Sequence, residues 1–339
     1  MRRYKRFQMF VHAEEMLSAV AQKLKNGELS CFIRLGSDMS NNYYEYEIPL
    51  TLTPSGLYTS DKLSDREKVW PKENMFDFAF SVLTNAKLKR NKERESGQNG
   101  VNNVTPFIVY DKNKPKNKIT ILGNPSLSDV ENIMIGVRNN TNELKSGEVW
   151  INEMRMSEFD ESGGWAGLAN VAVNLSDIGS LNIAGKMETA GFGGIESNIT
   201  NRTLEDSYQI NFSAGLDLGR FLPRQAKLQI PAYYTYSTQN QSPKYNPLDE
   251  DIELKDAIKS LDGNKSKIDS LKQRTQRNVV TESFNITNAK VNIRSKIPMP
   301  YDPANFSVTF STSKTDEHTP EIQQNLNKQQ RLALNYNYN

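Results

Sequence analysis

The sequence has little of the chemistry that disulfides and zinc sites need. Its 339 residues include a single cysteine, Cys31, and two histidines, His12 and His318. One cysteine excludes an intrachain disulfide, and so few cysteine and histidine ligands argue against a zinc cage. We expect Cys31 to be a small buried hydrophobe on a strand. The sequence predicts no metal and no cofactor.

Strong charge and long apolar runs are also missing. The chain has 42 Lys+Arg and 40 Asp+Glu, a net charge of +2, which gives no reason to expect nucleic acid as a partner. A mean hydropathy of −0.66 and the lack of a long apolar run exclude a membrane-spanning helix. They leave a membrane β-barrel open, because half of each barrel strand faces water. The start MRRYKRFQMF has no signal-peptide stretch, and we expect both ends to be cuts in a longer chain.

Motifs of known enzyme classes are absent from the sequence. Gly191–Gly194 lacks the spacing of a dinucleotide loop, and no GxSxG, HExxH or phosphate loop occurs. The acidic run Asp249–Asp251 lacks the glycine and spacing of an EF loop, so we expect a solvated loop there. The sequence therefore predicts a protein that is not an enzyme.

Residues 1–160 predict a jelly-roll-like β-sandwich domain with short helices. Short alternating runs are separated by Gly, Asn, Ser and Asp turns, the pattern of a sandwich. The expected strands lie at Phe7–Val11, Cys31–Leu35, Tyr44–Leu52, Met75–Phe80, Ile119–Ile121, Ile133–Val137 and Val149–Ile151. On the third of these we expect Tyr44 and Tyr46 to pack in the core.

Helices are expected at two places in this domain. Met16, Val20 and Leu24 recur at four-residue spacing, which predicts a helix over Ala13–Asn26. A second short helix is expected at Ser81–Arg90. The charged run Lys87–Gly100 that overlaps it predicts a solvated loop.

From residue 161 onward the alternating runs become longer. Crossing a bilayer takes about 9–11 residues of tilted strand, against about 5–6 residues in an average strand of a soluble protein. Seven candidates approach or reach the longer class: Trp165–Leu175, Ser180–Met187, Tyr208–Gly219, Lys227–Tyr236, Ser283–Arg294, Asn305–Ser313 and Arg331–Asn339. Residues 161–339 are therefore predicted to be consecutive antiparallel strands of a large transmembrane β-barrel. Seven strands do not close such a barrel, and an open edge in lipid would leave backbone groups unpaired, so this segment would need the other strands of the wall.

The connections between these candidates alternate in length. Ser176–Gly179 and Arg220–Gln225 are short, whereas Glu188–Ser207 is long and Thr238–Glu282 is very long with a helical stretch. Ser295–Ala304 is again shorter, and Lys314–Gln330 is longer. Outer-membrane barrels have short periplasmic turns and longer outside loops. This pattern favours an outer-membrane location with the sandwich on the outer side.

Strand alternation also assigns side chains to two faces. One face would line a water-filled pore and carries Asn170, Asn174, Gln209, Asn211, Ser213, Asp217, Lys227, Gln229 and Thr235. The other would face lipid or form an aromatic girdle, and carries Trp165, Val171, Val173, Tyr208, Ile210, Phe212, Leu216, Leu218, Leu228, Ile230, Tyr234 and Tyr236. Pro231 lies among these residues and predicts a bulge or a break in pairing.

Several long segments resemble the SprA/Sov proteins. They are Arg34–Leu50, Ile119–Asn139, Gly147–Ala166, Thr189–Glu196, Lys244–Ala257 and Phe284–Arg294. The resemblance implies the outer-membrane translocon of the type 9 secretion system of Bacteroidota, linked to gliding motility. It implies a very large single-chain barrel through which folded cargo proteins leave the cell. Its implied partners are outer-membrane lipid, secreted cargo, a subunit that closes a lateral opening, and a subunit that plugs the pore. No catalytic or metal residue carries over from the family.

Two alternatives stay open at this point. One is a soluble jelly-roll module that binds glycan or peptide, with Tyr43, Tyr44 and Tyr46 lining the ligand surface. The other is a different class of barrel, such as a nutrient transporter or an assembly pore. The total strand number, the cargo, the partner contacts and the energy source do not follow from the residues.

Overall fold

The structure, a computed structural model, describes residues 1–97 and 100–338. It is mainly antiparallel β-sheet, with short helices, and divides into two compact units. The first unit comprises Met1–Asp160 and Asp249–Ser260, and the second comprises Glu161–Leu248 and Leu261–Asn339. The all-β fold predicted from the alternation is confirmed.

The strands of the chain have the following bounds. They are β1 (Tyr4–Glu15), β2 (Leu29–Asp38), β3 (Asn42–Pro49), β4 (Phe76–Ala79), β5 (Phe107–Tyr110), β6 (Lys118–Leu122), β7 (Asn132–Asn139), β8 (Gly147–Phe159), β9 (Ala166–Asn174), β10 (Gly179–Glu188), β11 (Glu205–Asp217), β12 (Leu228–Gln229), β13 (Pro231–Pro243), β14 (Tyr245–Asn246), β15 (Asp249–Glu253), β16 (Arg277–Val291), β17 (Phe306–His318) and β18 (Asn325–Tyr336). The α-helices are α1 (Leu63–Val69), α2 (Ser81–Glu95), α3 (Leu254–Lys259) and α4 (Lys265–Thr275).

The first unit is a sandwich of two sheets. One has the order β4-β1-β8 and the other β5-β6-β3-β2-β7. Every second residue of β1 from Phe7 to Ala13 is buried, and so is every second residue of β2 from Cys31 to Leu35. These positions join one apolar cluster, because alternate residues of a strand point to the same side. The core therefore lies between the two sheets.

Cys31 and two tyrosines lie in that core, as predicted. Cys31 is fully buried, and burial raises the pKa of its thiol to about 12, so the thiol stays protonated at neutral pH. Tyr44 and Tyr46 are also buried, and the ring of Tyr46 stacks on Phe78 with centroids 4.1 Å apart. Their hydroxyl groups donate to carboxylates, which satisfies the buried polar atoms.

The helix predicted over Ala13–Asn26 is wrong. β1 continues through Glu15, and Ala13 pairs with Val149 of β8. The next residues are held by backbone contacts to the turn before β8, since Met16 N–H donates to Ser146 O at 3.2 Å. Met16 and Val20 are exposed. The four-residue spacing of Met16 and Val20 therefore does not mark the buried face of a helix. The pairing of β1 with β8 decides the local structure instead.

The solvated loop predicted over Lys87–Gly100 is also wrong for most of its length. α2 runs from Ser81 to Glu95, so the predicted helix is longer than expected. Lys87 and Arg90 are fully buried. Positions 98 and 99 of the run lie outside the described residues. The charge pattern failed here because it carries no information about buried carboxylates elsewhere in the chain.

Those carboxylates come from Asp249–Ser260, which we call the docked segment. The Asp251 side chain accepts hydrogen bonds from the Tyr44 hydroxyl at 2.6 Å, Lys87 Nζ at 3.0 Å and Leu127 N–H at 3.1 Å. Lys87 Nζ also lies 2.7 Å from Asp249 Oδ1. The acidic run expected to be a solvated loop therefore has a buried member, Asp251. Its charge is tolerated because the ammonium group and two donors surround it.

The second unit contains a sheet in which the seven long strands follow each other in chain order, β9-β10-β11-β13-β16-β17-β18, and every neighbouring pair is antiparallel. The short strand β12 pairs with β16 beside this path. The meander matches the predicted succession of strands, and its two ends leave it an open sheet.

The bounds of several of these strands differ from the sequence prediction. β13 continues to Pro243, seven residues beyond the predicted end at Tyr236, with polar residues on both faces. The predicted long loop Lys314–Gln330 is mostly strand, and the connection itself is residues 319–324. The alternation of short and long connections thus holds for the first four and fails for 292–305 and 319–324. Pro231 is the first residue of β13, where its missing N–H is tolerated.

Candidate membrane and passage surfaces

The register of the second unit gives its sheet one apolar face and one polar face. Residues opposite each other in an antiparallel pair point to the same side. Ile183 of β10 lies opposite Phe212 of β11, and Ala184 lies opposite Asn211. Phe212 in turn lies opposite Tyr236 of β13. The alternations of neighbouring strands therefore reinforce each other across the sheet.

The polar face brings together seven of the residues predicted to line a pore. They are Asn170, Asn174, Gln209, Asn211, Ser213, Asp217 and Thr235. Lys227 is not among them, because it lies in a left-handed turn with φ 47° that ends a short 3₁₀ helix. Gln229 lies on β12 opposite Lys290. Both residues belong to the connection between β11 and β13. The alternation of apolar and polar residues continues through this connection, so it could not be distinguished from a strand in the sequence.

The side chains of the polar face hydrogen-bond to one another across strands. Ser237 Oγ donates to Asn211 Oδ1 at 2.7 Å, and the hydroxyl oxygens of Thr235 and Ser283 are 2.8 Å apart. Asp217 acts differently, since its Oδ1 accepts from Gly219 N–H and Ile230 N–H, both at 3.1 Å. Asp217 thus stabilises the turn after β11, while amides and hydroxyls make up the middle of the face.

The apolar face holds eight of the residues predicted to meet lipid. They are Val171, Val173, Tyr208, Ile210, Phe212, Leu216, Tyr234 and Tyr236. The other four leave the long strands. Trp165 precedes β9, with its N–H donating to Thr189 Oγ1 at 2.8 Å. Leu218 begins a 3₁₀ helix, Leu228 lies on β12, and Ile230 links β12 to β13.

This face is not covered by any described part of the second unit. Ile210 is 53% exposed and Leu332 is 74% exposed. The main buried cluster lies entirely in the first unit, and Ala232 is the sole buried apolar residue among those described in the second. A sheet in water buries its apolar face against another layer. The second unit offers no such layer among its described residues.

The apolar residues form a band that crosses the sheet diagonally. Following cross-strand partners from Phe212 on β11 leads through four steps to Lys328 on β18. The apolar group of β18 is Leu332, Leu334 and Tyr336, centred about six residues further along the strand. Six residues at about 3.3 Å each along the strand and four steps at about 4.8 Å each between strands are nearly equal distances. The strands therefore cross the band at about 45°. Transmembrane barrel strands tilt by about 35–45°.

The polar residues of β16, β17 and β18 were missed in the predicted pore-lining set. Ser283 lies opposite Thr235, and Ser311 and Ser313 lie opposite Asn285 and Ser283. The signal was present, because each of these strands alternates in the sequence. Assigning their faces required the register, which a strand pattern alone does not provide.

Among the described residues, no helix is long and apolar enough to cross a membrane.

A search of the curated proteins finds no match. The model of the SprA_N family, described as motility related/secretion protein, matches residues 1–258. The match spans well over half of the chain and includes the first unit through most of its docked segment. The chain therefore belongs to the SprA_N family of motility-related and secretion proteins.

Proposed function

We propose that residues 161–339 form part of the wall of an outer-membrane pore that exports folded proteins by type 9 secretion and so supports gliding motility. The observation that carries this proposal is the uncovered apolar band, tilted by about 45° across seven antiparallel strands. Family membership supports a role in motility or secretion. The resemblance to SprA/Sov proteins is the basis for naming the pore.

In this proposal the apolar face contacts lipid and the polar face lines the passage. Tyr208 borders the band near one end of the strands, and Phe306 packs on Tyr336 near the other end with ring centroids 5.0 Å apart. Aromatic residues at both borders fit the girdles of membrane barrels. The amides and hydroxyls of the polar face, such as Asn211 and Ser237, hydrogen-bond to each other. Amides and hydroxyls hydrate the middle of such a passage, and charged side chains such as Lys186 and Arg331 lie on the same face.

The proposal places the sandwich on the outer side of the membrane. The chain enters β9 at the same end of the sheet as the connections 189–204, 244–276 and 319–324. The first two are longer than each of the connections 175–178, 218–230 and 292–305 at the opposite end, whereas 319–324 is short. Long connections of outer-membrane barrels lie outside the cell. Protease treatment of intact cells tests this orientation. Cleavage in residues 1–160 is expected. Resistance of these residues while known surface loops are cut would show that the proposed orientation is reversed.

The soluble binding module has less support. Tyr44 and Tyr46 are buried with their hydroxyls bonded to Asp251 and Asp111. Tyr43 is also buried, under the Arg34 guanidinium at 4.1 Å from its ring centroid. The three tyrosines therefore make no open ligand surface.

The decisive experiment is site-specific photo-crosslinking in native membranes of the source cell. One variant carries the photoreactive residue at Asn211 and a matched variant carries it at Phe212, the adjacent residue on the other face. Secreted cargo captured at position 211, with lipid adducts at 212, is the expected result. Cargo captured at position 212 alone would mean that the lipid-facing and passage-lining faces are exchanged, and the pore proposal would stand. No cargo at either position, with the protein in the soluble fraction, would refute the proposal. The same assay identifies the gate and plug subunits as further adducts.

A further inference from the structure

The sandwich of the first unit is open along one side. β7 is the last strand of the five-stranded sheet and β8 is the last strand of the three-stranded sheet, and residues 140–146 connect them. Among the described residues, β7 pairs with β2 alone and β8 pairs with β1 alone. One backbone edge of each strand is therefore left without a partner strand, and an unpaired edge is a template for adding another strand.

The side chains that point inward at this opening are apolar, yet they are exposed. Val137 lies opposite Cys31 in the pairing of β7 with β2, and Ile151 lies opposite Val11 in the pairing of β8 with β1. Cys31 and Val11 are buried, but Val137 is 45% exposed and Ile151 is 41% exposed. Inward-facing residues stay this exposed only where the core lacks a covering strand. The opening thus requires apolar side chains from whatever fills it.

β7 is the more accessible of the two edges. Natural proteins protect edge strands with proline, lysine or bulges. The sequence of β7, NIMIGVRN, contains neither proline nor lysine, and its pairing with β2 has a continuous register. β8 is interrupted, because Glu153 and Glu158 have left-handed backbone angles of φ 52° and 57°. An added strand therefore pairs with β7 and covers the inward side chains of β8.

The charges beside the opening specify the flanks of that strand. β8 carries the carboxylates of Glu148, Glu153 and Glu158 against one guanidinium, Arg155. The single charge on β7 is Arg138, whose guanidinium contacts Glu45 and Glu47 of β3. β8 itself is thus net negative, although Arg6 contacts its Glu158 at 3.9 Å, and complementary charge favours a basic partner.

We propose that β7 accepts an added β-strand from a partner polypeptide, an extended segment with apolar side chains at alternate positions and lysine or arginine at its flanks. Main-chain hydrogen bonds to β7 supply affinity, and the apolar side chains enter the opening between β7 and β8. This site lies in the sandwich and does not depend on transport through the second unit.

The test uses the purified 339-residue chain and a synthetic peptide that alternates valine and threonine between terminal lysines. Backbone N-methyl groups on one edge of the peptide prevent it from pairing with itself. Hydrogen exchange followed by mass spectrometry is the readout. We expect exchange to slow by about tenfold or more at residues 132–139, which corresponds to about 1.4 kcal/mol, with no change at β5, the opposite edge of the same sheet.

Two matched comparisons separate this site from nonspecific binding. Val137→Lys places a charge in the opening and should weaken peptide binding by about tenfold or more. Ile108→Lys, on the β5 edge and 52% exposed, should leave binding unchanged. A peptide with terminal glutamates in place of lysines should bind more weakly than the lysine peptide, and this comparison needs only the wild-type chain.

Three outcomes would overturn the proposal. The first is unchanged exchange at residues 132–139 with saturating lysine peptide. The second is equal binding of the lysine and glutamate peptides, or equal binding by wild type and Val137→Lys. The third is protection of β7 that rises with protein concentration in the absence of peptide, which would identify a second copy of the chain as the occupant.

Discussion

Replacing Lys87 by methionine should destabilise the first unit more than any exposed substitution on the same helix. The Lys87 ammonium donates to Pro125 O at 2.8 Å and contacts the carboxylates of Asp249 and Asp251 at 2.7 and 3.0 Å. Methionine has a similar length but no charge, so Lys87→Met leaves Asp251 buried without its cation. Breaking a buried ion pair on one side costs about 3–5 kcal/mol.

The size of this effect can be measured as a melting temperature. For a unit of this size, 1 kcal/mol shifts the melting temperature by about 2–4 °C, so we expect a decrease of about 10 °C. Trp70 and Trp150 lie in the first unit and Trp165 in the second. Fluorescence-monitored melting in a Trp165→Phe background therefore reports the first unit alone.

A control on the same helix decides whether burial is the cause. Lys89 is exposed and its ammonium lies 3.8 Å from Glu93, one turn along α2, so Lys89→Met should cost about 0.5 kcal/mol or less. The double variant Lys87→Met/Asp251→Asn should lose less than the sum of the two single changes, because the fully buried Asp251 charge is removed together with its cation and Asp249 alone loses a partner. Equal shifts for Lys87→Met and Lys89→Met would refute the reasoning.

Three further predictions concern pH, the two faces and one glycine. Burial raises the pKa of Tyr44 well above its usual range, so the folded state keeps a proton that the unfolded chain releases. The stability of the first unit should therefore decrease as pH rises above about 10. In melting curves recorded over a series of pH values, the melting temperature of Tyr44→Phe should decrease less steeply with pH than that of the wild type. For the membrane wall proposed above, we expect Phe212→Lys to cost about 2–4 kcal/mol in a urea titration in lipid, whereas Asn211→Lys should cost little in the same titration. Gly36→Ala should cost about 2 kcal/mol, because its Cβ would clash with the backbone oxygen of Asn42, whereas Gly185→Ala meets no atom within 4 Å and should be neutral in thermal melts.

Strand positions were predictable from the sequence because alternation is a local signal. The run Phe7–Val11 lies within β1, and the seven long candidates correspond to the seven long strands of the meander. Helix α2 was also expected, although its length was not. The helix predicted at Ala13–Asn26 failed since the pairing of Ala13 with Val149 joins residues far apart in sequence. A spacing pattern has no access to such a partner.

The environment of charged residues was less predictable for the same reason. The charged run that begins at Lys87 and the acidic run that includes Asp251 were each interpreted as solvated, yet these two residues neutralise each other in the core. Neither run alone indicates burial, because the partners are 164 positions apart. The faces of the sheet were predictable up to the ends of its strands. Lys227 and Gln229 lie before β13, where the alternation continues through a turn and a two-residue strand.

The docked segment has a consequence for the order in which the chain can fold. The buried carboxylate of Asp251 completes the surroundings of Tyr44 and Lys87, but it follows four long strands of the second unit in sequence. A chain that emerges from its N-terminus must therefore hold an incomplete sandwich, in which Lys87 lacks both carboxylate partners, until about ninety more residues have emerged. Native structure in residues 1–160 is thus postponed to a stage when β9 to β13 are already present. Completion of the sandwich therefore waits for a segment that follows four strands of the second unit in the chain.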